Sequence, residues 1–268
     1  MISIVCPFFN EESIIEKSTH LMMENLKSLP GEWELIVVND GSTDRSLEIV
    51  QSLEKVYSNL YITGYPINRG RGFALRTGLA KARGDLVITT EIDSSWGNEI
   101  AHQIVAEFEQ KKDADIIVAS PHLPEGGYKN VPFKRVFLSS MGNRLIRAGT
   151  SSQITMNTGM TRGYKRKKFL DLPLDEDGKE IHLEIIQKAI SLGYRIYEIP
   201  AILEWKDKKL ASKEGVERKS SSKLNKLIRT HLIFTFLAAP FRYMNIFSGA
   251  LTIVGAIFFF GALYNLTN

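Results

Sequence analysis

The sequence DLVITTEIDSS, residues 85–95, decides the fold of this chain. It begins as a run of strand-forming residues and ends in two carboxylates, Glu91 and Asp93, at positions i and i+2. If the strand continued through them, that spacing would point both side chains to one face of the sheet. Paired oxygen ligands at a strand end suit Mg²⁺ or Mn²⁺ carrying a phosphorylated substrate. A solvated strand end is the competing interpretation, and the rest of the sequence must decide.

Strand and helix patterns alternate along the first two hundred residues. Short apolar runs predict strands at residues 2–7, 33–39, 60–65, 85–90, 114–120 and 194–204. Helical periodicity predicts helices at residues 11–29, 44–56, 98–111, 134–148 and 179–192, with another helix that ends at residue 82. This alternation predicts an α/β fold with a mostly parallel central sheet flanked by helices.

Polar residues follow the predicted strands at four places. These are the stretches PFFNE at 7–11 and NDGS at 39–42, the pair Asn68 and Gly70, and the pair Glu91 and Asp93. Ligands of open α/β sheets bind outside the carboxyl ends of the strands, so the sequence predicts one binding crevice there. Asp40 is either an acceptor for a nucleobase N–H or a residue of an Asx turn. The glycine-rich turn at residues 68–72 lacks the Lys-Ser/Thr of a P-loop and is not the first βα turn, which disfavours an ATPase and a dehydrogenase.

Composition narrows the class of protein. The chain has 268 residues, of which 44% are hydrophobic and 24% charged, as in an ordinary folded protein. Its single cysteine, Cys6, excludes a disulfide within the chain. Between residues 206 and 229, nine Lys/Arg stand against three Asp/Glu, so positive charge is concentrated before the C-terminal segment. No nucleic-acid partner is expected.

The C-terminal segment differs from the rest. Residues 246–264 form an uncharged run of about nineteen residues, the length that predicts a transmembrane helix. Residues 221–243 mix apolar and basic residues and predict an amphipathic helix at the membrane surface. We therefore expect a catalytic domain at 1–220, a basic juxtamembrane helix at 221–243, and one membrane span with a short tail at 244–268. The basic flank places the catalytic domain in the cytoplasm by the positive-inside rule.

Five motifs together resemble a known family. PFFNEE, VVNDGSTD, NRGRGFALRTG, ARGDLVITTEID and the pattern from Ser139 to Asn143 are similar to those of family 2 glycosyltransferases of the GT-A fold, and most similar to the polyprenyl-phosphate glycosyltransferases. The resemblance covers roughly residues 1–223 and implies a nucleotide-sugar donor, a divalent metal and inverting transfer. It assigns nucleotide binding to Pro7, Phe9, Glu11, Asp40 and Asn68.

The resemblance also implies a metal site, with departures from the family pattern. Asp93 would bind Mg²⁺ or Mn²⁺, and Glu91 stands where the family usually has an Asp. Ser95 occupies the position of a usual Gln and is the third metal candidate, with Asp93 and Glu91, although its shorter side chain would leave that place in the metal shell to water. Arg135 matches a basic position of the family, and Thr158 to Gly163 matches an element near the sugar, with a simple turn as the alternative.

The acceptor chemistry sets a further requirement. A lipid monophosphate is largely ionised at neutral pH, since its second pKa is about 6, and so it needs little general-base help. Two anionic substrates do need a cationic cradle. The candidate catalytic and acceptor-phosphate cations are Arg135, Lys206, Lys213 and Arg218, although attraction to anionic lipid head groups would explain such residues too. His182 and Glu184 share a predicted helix, and either could reach the site or serve the core.

The predicted function is transfer of a hexose from a GDP-mannose or UDP-glucose type of donor to a polyprenyl phosphate at a membrane. One alternative is a glycosyltransferase that acts on a saccharide acceptor. The other is a non-catalytic, membrane-tethered protein that binds nucleotide sugars. Self-association is left open by the sequence.

Overall fold

A computed structural model of the chain describes residues 1–150, 154–205 and 240–267. The strands are β1 (Ile2–Phe8), β2 (Trp33–Asp40), β3 (Leu60–Tyr65), β4 (Leu86–Thr89), β5 (Ile116–Ser120), β6 (Gly127–Lys129), β7 (Arg162–Lys165), β8 (Ile196–Pro200) and β9 (Ile202–Glu204). The helices are α1 (Ile15–Leu26), α2 (Ser46–Glu54), α3 (Arg71–Lys81), α4 (Ile100–Gln110), α5 (Phe133–Thr150), α6 (Arg166–Leu170), α7 (Ile181–Ser191) and α8 (Pro240–Thr267).

Seven strands form the central sheet in the order β3-β2-β1-β4-β7-β5-β8. All neighbouring pairs are parallel except the two made by β7, which is antiparallel to β4 and to β5. The registers align the strand ends: Val5 pairs with Ile36 on one side and with Thr89 on the other. The carboxyl ends of β1, β2 and β4 therefore meet at one edge, and the predicted mostly parallel α/β sheet is confirmed.

The core is built on strands that are apolar on both faces. Residues 35–38 of β2 are each at most 2% exposed, as expected for a strand covered by helices on both sides. Helix α3 packs closely on this sheet at Gly78, where a Cβ atom would overlap the side chains of Val5 and Val38. The close contact fixes the distance between α3 and strands β1 and β2.

Three elements differ from the sequence prediction. Residues 162–165, where the sequence predicted no strand, form the antiparallel strand β7. The predicted strand at 194–204 divides after Pro200. The N–H of Ala201 still donates to the carbonyl of Ser120 in the main sheet over 3.0 Å, whereas its carbonyl accepts the N–H of Gly127 at the start of β6 over 3.2 Å. Strand β9 then pairs with β6 in a separate two-stranded sheet. No strand was predicted in the region of β6.

The C-terminal predictions have a different outcome. The cations Lys206, Lys213 and Arg218 lie outside the described residues, as does most of the predicted juxtamembrane helix. A membrane crossing needs a helix of about 20 predominantly apolar residues. Among the residues that the structure describes, no helix is long and apolar enough to provide one. The transmembrane helix predicted for residues 246–264 is therefore not supported.

Candidate active site

The two carboxylates of the opening sequence lie in a turn and not on a strand. Strand β4 ends at Thr89, and the N–H of Ser94 donates to the carbonyl of Glu91 over 3.3 Å. Ser94 adopts a left-handed conformation with φ of 52°, which bends the chain sharply after Asp93. The expectation that an extended strand points both carboxylates to one face is therefore wrong. Instead, the turn at residues 91–95, here called the acidic turn, brings both carboxylates to the carboxyl edge of the sheet.

Glu91 is held by three donors. Its Oε2 accepts the hydroxyl of Ser95 over 2.9 Å and the indole N–H of Trp96 over 3.2 Å. Its Oε1 lies 3.4 Å from a guanidinium nitrogen of Arg71, with side-chain exposures of 37% for Arg71 and 29% for Glu91. Trp96 itself is buried. The carboxylate of Glu91 thus stabilises the turn through Ser95 and Trp96 and pairs with the partly exposed cation of Arg71.

Asp93 is engaged more lightly than Glu91. Its Oδ1 accepts the backbone N–H of Ser95 over 3.1 Å, an Asx-turn contact that leaves further lone pairs on both oxygens. Among the described residues, no group of three His, Cys, Asp or Glu side chains could hold a metal ion alone. Mg²⁺ in phosphate sites commonly uses one or two carboxylates together with substrate oxygens and water. The acidic turn fits such a shared site, with Asp93 as the better placed ligand.

Asp40 organises the turn between β3 and α3. Its buried carboxylate accepts the hydroxyl of Tyr65 over 2.8 Å, the backbone N–H groups of Arg69 and Gly70 over 2.9 and 3.1 Å, and the side-chain amide of Asn68 over 3.1 Å. Together with burial, the contact with Asp40 raises the pKa of Tyr65. Oδ1 accepts three of these donors and Oδ2 accepts one, so Asp40 anchors the turn, and its contact with a nucleobase stays a prediction.

The loops after β1 and β2 are joined to each other. The backbone N–H of Asn10 donates to the hydroxyl of Ser42 over 3.1 Å, and the N–H of Thr43 donates to the side-chain carbonyl of Asn10 over 2.8 Å. The N–H of Glu11 donates to the hydroxyl of Ser46 over 2.9 Å. These contacts place the nucleotide-binding candidates Pro7, Phe9 and Glu11 at the edge that Asp40 occupies.

A second acidic loop, residues 174–178, covers the start of α3. The carbonyl of Asp177 accepts the N–H groups of Gly72 and Phe73 over 2.8 and 3.2 Å. Arg76 binds the side chain of Asp177 and the carbonyl of Glu176. On the other side, the buried Glu184 accepts the N–H groups of Asp175 and Glu176, each over 3.0 Å. Glu184 is therefore a loop-organising residue.

Arg135 is connected to the acidic turn through β9. Its guanidinium lies 4.5 Å from the ring centroid of Trp205. The N–H of the preceding Glu204 donates to the carbonyl of Ser95 over 2.8 Å, and Ser95 in turn contacts Glu91. A basic group thus stands a few contacts from the two carboxylates, on the side of β6 and β9.

Two further candidates are buried. His182 is 2% exposed and, among the described residues, neither of its ring nitrogens has a hydrogen-bond partner. Burial, with the cations Arg162 and Arg71 as smaller causes, holds the pKa of His182 well below its usual range. Arg162 donates to the carbonyls of His182 and Asn157 over 2.8 and 2.7 Å, so this residue of the 158–163 element lies inside the protein.

The site also contains residues that the sequence prediction missed. Arg71 and Trp96 contact Glu91 directly, and Tyr65 contacts Asp40. The position of Arg71 in the glycine-rich turn after β3 was a usable signal, because that turn lies at the carboxyl edge. The sequence around Trp96 contains no such signal, since the contact of Trp96 with Glu91 depends on how the acidic turn bends.

The sequence pattern of glycosyl transferase family 2 matches residues 3–172, and the chain belongs to this family. A dolichyl-phosphate beta-glucosyltransferase of Trichomonas vaginalis is 25% identical over 217 residues, which cover 77% of this chain and 66% of that protein. An undecaprenyl-phosphate 4-deoxy-4-formamido-L-arabinose transferase of Shewanella sediminis is 26% identical, with 62% and 48% covered. The chain spans at most about two thirds of the length of these relatives.

A solved structure shares the fold. Glucosyl-3-phosphoglycerate synthase from Mycobacterium tuberculosis, in complex with Mn²⁺, UDP-glucose and phosphoglyceric acid, superposes with a TM-score of 0.64 at 19% identity. The match covers 88% of this chain and 79% of that one. At this level of identity the likeness concerns the fold, and it agrees with the GT-A α/β architecture expected from the sequence.

Proposed function

We propose that this family 2 glycosyl transferase moves a hexose from a nucleotide sugar to a polyprenyl phosphate, with inversion at the anomeric carbon. The observation that carries the proposal is the contact path from Glu91 through Ser95 and Glu204 to Trp205 and Arg135. It joins an acidic turn suited to a metal–diphosphate group with a cation suited to a second phosphate. The names of the two relatives, which act on dolichyl and undecaprenyl phosphate, support the same acceptor class.

The donor is proposed to bind along the edge formed by β1, β2 and β4. Phe9 and the turn anchored by Asp40 would flank the nucleoside. Mg²⁺ or Mn²⁺, held by Asp93 with Glu91 beside it, would stabilise negative charge on the leaving diphosphate. Arg71 pairs with Glu91 at a distance of 3.4 Å and is partly exposed, so its guanidinium can also donate to a phosphate oxygen. A UDP-hexose is the first donor to test, since the structural neighbour was solved with UDP-glucose.

The charges of the two phosphate-containing substrates determine how the transfer step is proposed to proceed. An oxygen of the acceptor phosphate attacks the anomeric carbon, and the bond from that carbon to the diphosphate breaks with its electron pair on the leaving nucleoside diphosphate. The acceptor oxygen is largely deprotonated beforehand, because the second pKa of a phosphate monoester is about 6. Arg135 would hold this phosphate and reduce the repulsion between two anions. The basic cations at 206, 213 and 218 remain proposals for the same role.

The chain is also proposed to divide near residue 220. Residues 1–220 would form the catalytic part, and the basic stretch at 221–243 would be attracted to anionic lipid head groups, which places the site near the acceptor's bilayer.

A panel assay tests the function. The full chain is incubated with radiolabelled UDP- and GDP-hexoses, polyprenyl phosphate and Mg²⁺ or Mn²⁺, and the organic phase is counted. Label should enter that phase with one donor, and it should not do so with the unphosphorylated polyprenol. Absence of label with every donor would overturn the lipid acceptor. Parallel reactions with phosphoglyceric acid and with oligosaccharides detect the alternative acceptors, and UDP binding without any transfer would indicate the non-catalytic alternative.

A further inference from the structure

A serine, a histidine and a glutamate form a row between the end of α1 and the start of α4. The hydroxyl oxygen of Ser28 lies 2.8 Å from Nε2 of His102. On the other side of the ring, Nδ1 of His102 lies 3.4 Å from a carboxylate oxygen of Glu99. This order of hydroxyl, imidazole and carboxylate is the one by which a serine is activated as a nucleophile. None of the three residues belongs to the donor or acceptor sites proposed above.

Ser28 is held at the surface by the turn that follows α1. Leu26 and Leu29, on either side of it, are 2% and 5% exposed, which anchors the backbone of the turn in the core. The N–H of Ser28 donates to the carbonyl of Asn25 over 3.4 Å, and its hydroxyl lies 2.9 Å from the same carbonyl. Ser28 itself is exposed, so a substrate in solution can reach its hydroxyl.

His102 is positioned by the first turn of α4. Its neighbours Ala101 and Ile104 are buried and fix the helix against the core, while the side chain of His102 is 22% exposed. Glu99 immediately precedes the helix and is three residues from His102, a spacing that brings the two side chains together on the helix surface. The side chain of Glu99 is 69% exposed and is therefore free to rotate.

The location of the ring proton decides which way the row works. Nδ1 of His102 is buried and, within the part of the chain that the structure describes, forms no hydrogen bond, although Glu99 lies within ion-pair distance. A buried nitrogen without a partner costs free energy, so a small rotation of Glu99 onto a proton at Nδ1 is favourable. That tautomer leaves Nε2 as an acceptor. The hydroxyl of Ser28 can then donate to Nε2 instead of to the carbonyl of Asn25.

We propose that Ser28, His102 and Glu99 form a second nucleophilic site, which takes acyl groups from activated esters. The oxygen of Ser28 attacks the ester carbonyl carbon, and its proton passes to Nε2 of His102. The bond from that carbon to the leaving alkoxide breaks, the alkoxide takes the proton from His102, and an acyl-serine remains, which water cleaves by the same route. Glu99 is a positioning residue that holds the ring and stabilises the imidazolium between the two proton transfers.

A serine-directed label tests the nucleophile within one molecule. The full chain is incubated with a fluorophosphonate at about pH 8, and the modified peptides are followed by mass spectrometry. Ser52 of α2 is the matched control, because it is exposed and its hydroxyl donates to the carbonyl of Glu48 over 3.1 Å, with no hydrogen bond to a histidine of the described residues. Ser28 should react about 100-fold faster than Ser52, the contribution of a positioned general base.

Variants separate the base from the positioning residue. His102→Gln should lower the labelling rate of Ser28 to that of Ser52, and Glu99→Gln should give an intermediate rate. Nitrogen NMR of labelled histidine should find His102 protonated at Nδ1, with the other tautomer gaining population in Glu99→Gln. The signal of His102 is identified by its absence in His102→Gln.

Ester cleavage is measured with p-nitrophenyl acetate. The unchanged protein and Ser52→Ala should release nitrophenolate faster than Ser28→Ala does. Equal labelling of Ser28 and Ser52, an unchanged rate at Ser28 in His102→Gln, or equal ester cleavage by Ser28→Ala would overturn the proposal. No nucleotide sugar, metal or lipid is present, so a failure of the proposed glycosyl transfer does not affect these readouts.

Discussion

The hydroxyl of Ser95 donates to Oε2 of Glu91 over 2.9 Å and closes the acidic turn on itself. The indole of Trp96 donates to the same oxygen, while Asp93 accepts the backbone N–H of Ser95 and keeps further lone pairs on both oxygens. The two carboxylates therefore have different parts to play. Glu91 shapes the turn as a positioning residue, and Asp93 is the candidate metal ligand.

This difference predicts unequal effects on metal binding. Asp93→Asn should weaken the affinity for Mn²⁺ in the presence of UDP by at least about 100-fold, because a ligand oxygen and its charge are lost. Glu91→Gln keeps an acceptor for Ser95 and Trp96. It should lower the affinity for Mn²⁺ by about tenfold, the typical effect of changing a residue that orients a metal ligand. Electron paramagnetic resonance of Mn²⁺ measures both affinities. Equal losses would show that Glu91 binds the metal directly.

Asp40 is predicted to matter for stability. Asp40→Asn exchanges one acceptor oxygen for an amide that faces the donor of Asn68, so the free energy of unfolding should fall by about 1–3 kcal/mol. Tyr65→Phe removes one donor only and should cost about 1 kcal/mol. Urea denaturation measures both. If Asp40→Asn lost UDP affinity at unchanged stability, Asp40 would instead be a nucleobase acceptor.

Arg135 is predicted to act on the acceptor. Arg135→Ala should raise the KM for polyprenyl phosphate by about tenfold or more while leaving UDP affinity unchanged, since a charge-assisted hydrogen bond is lost on the acceptor side. Arg135→Lys should recover only part of this loss, because lysine lacks the planar group that stacks on Trp205. Lys134→Ala, at the adjacent exposed cation, is the matched control. An equal loss in that control would indicate general attraction of the acceptor to positive charge.

Most of the sheet was predictable because each of its strands is an apolar run that can be recognised from a short stretch of sequence. Strand β3 has the predicted limits, and β2 extends one residue further. Strand β7 was not predictable from its own residues: RGYK has no hydrophobic alternation, and it forms a strand because β4 and β5 present free edges on either side of it. Tertiary context, and not local preference, decided this segment.

The position of the site in the fold was predictable, but the side-chain contacts within it were not. Strand ends that carry Asp40 and Asp93 meet because parallel strands align, which a sequence pattern can indicate. The pairing of Arg71 with Glu91 and the cover of α3 by Asp177 depend on residues about 20 to 100 positions apart in the chain. No local spacing encodes such contacts, so they required the structure.

Gly72 is predicted to be intolerant of a side chain. A Cβ atom there would overlap the carbonyl oxygen of Glu176, which belongs to the backbone of the loop at 174–178 and cannot move alone. Gly72→Ala should therefore lower the free energy of unfolding by about 1–3 kcal/mol and weaken donor binding through Arg71. Gly142→Ala in α5, where nothing lies within 4 Å of the added atom, should stabilise by up to about 1 kcal/mol. Chemical denaturation compares the two, and equal effects would contradict the close contact.

His182 is predicted to make stability depend on pH. Burial, and to a smaller extent Arg162, lowers the pKa of His182 in the folded protein well below its value of about 6.5 in the unfolded chain. The unfolded state therefore binds the proton first, so the contribution is fully present above about pH 6.5 and is lost as the pH falls, by up to about 1.4 kcal/mol per pH unit. Neither ring nitrogen has a partner among the described residues, so His182→Leu forfeits no hydrogen bond and should flatten this dependence between about pH 6.5 and 5. His20→Gln, at a partly buried histidine bonded to Tyr57, should leave the dependence in place. Unfolding free energies measured across this range decide the matter, and an unchanged slope in His182→Leu would refute the prediction.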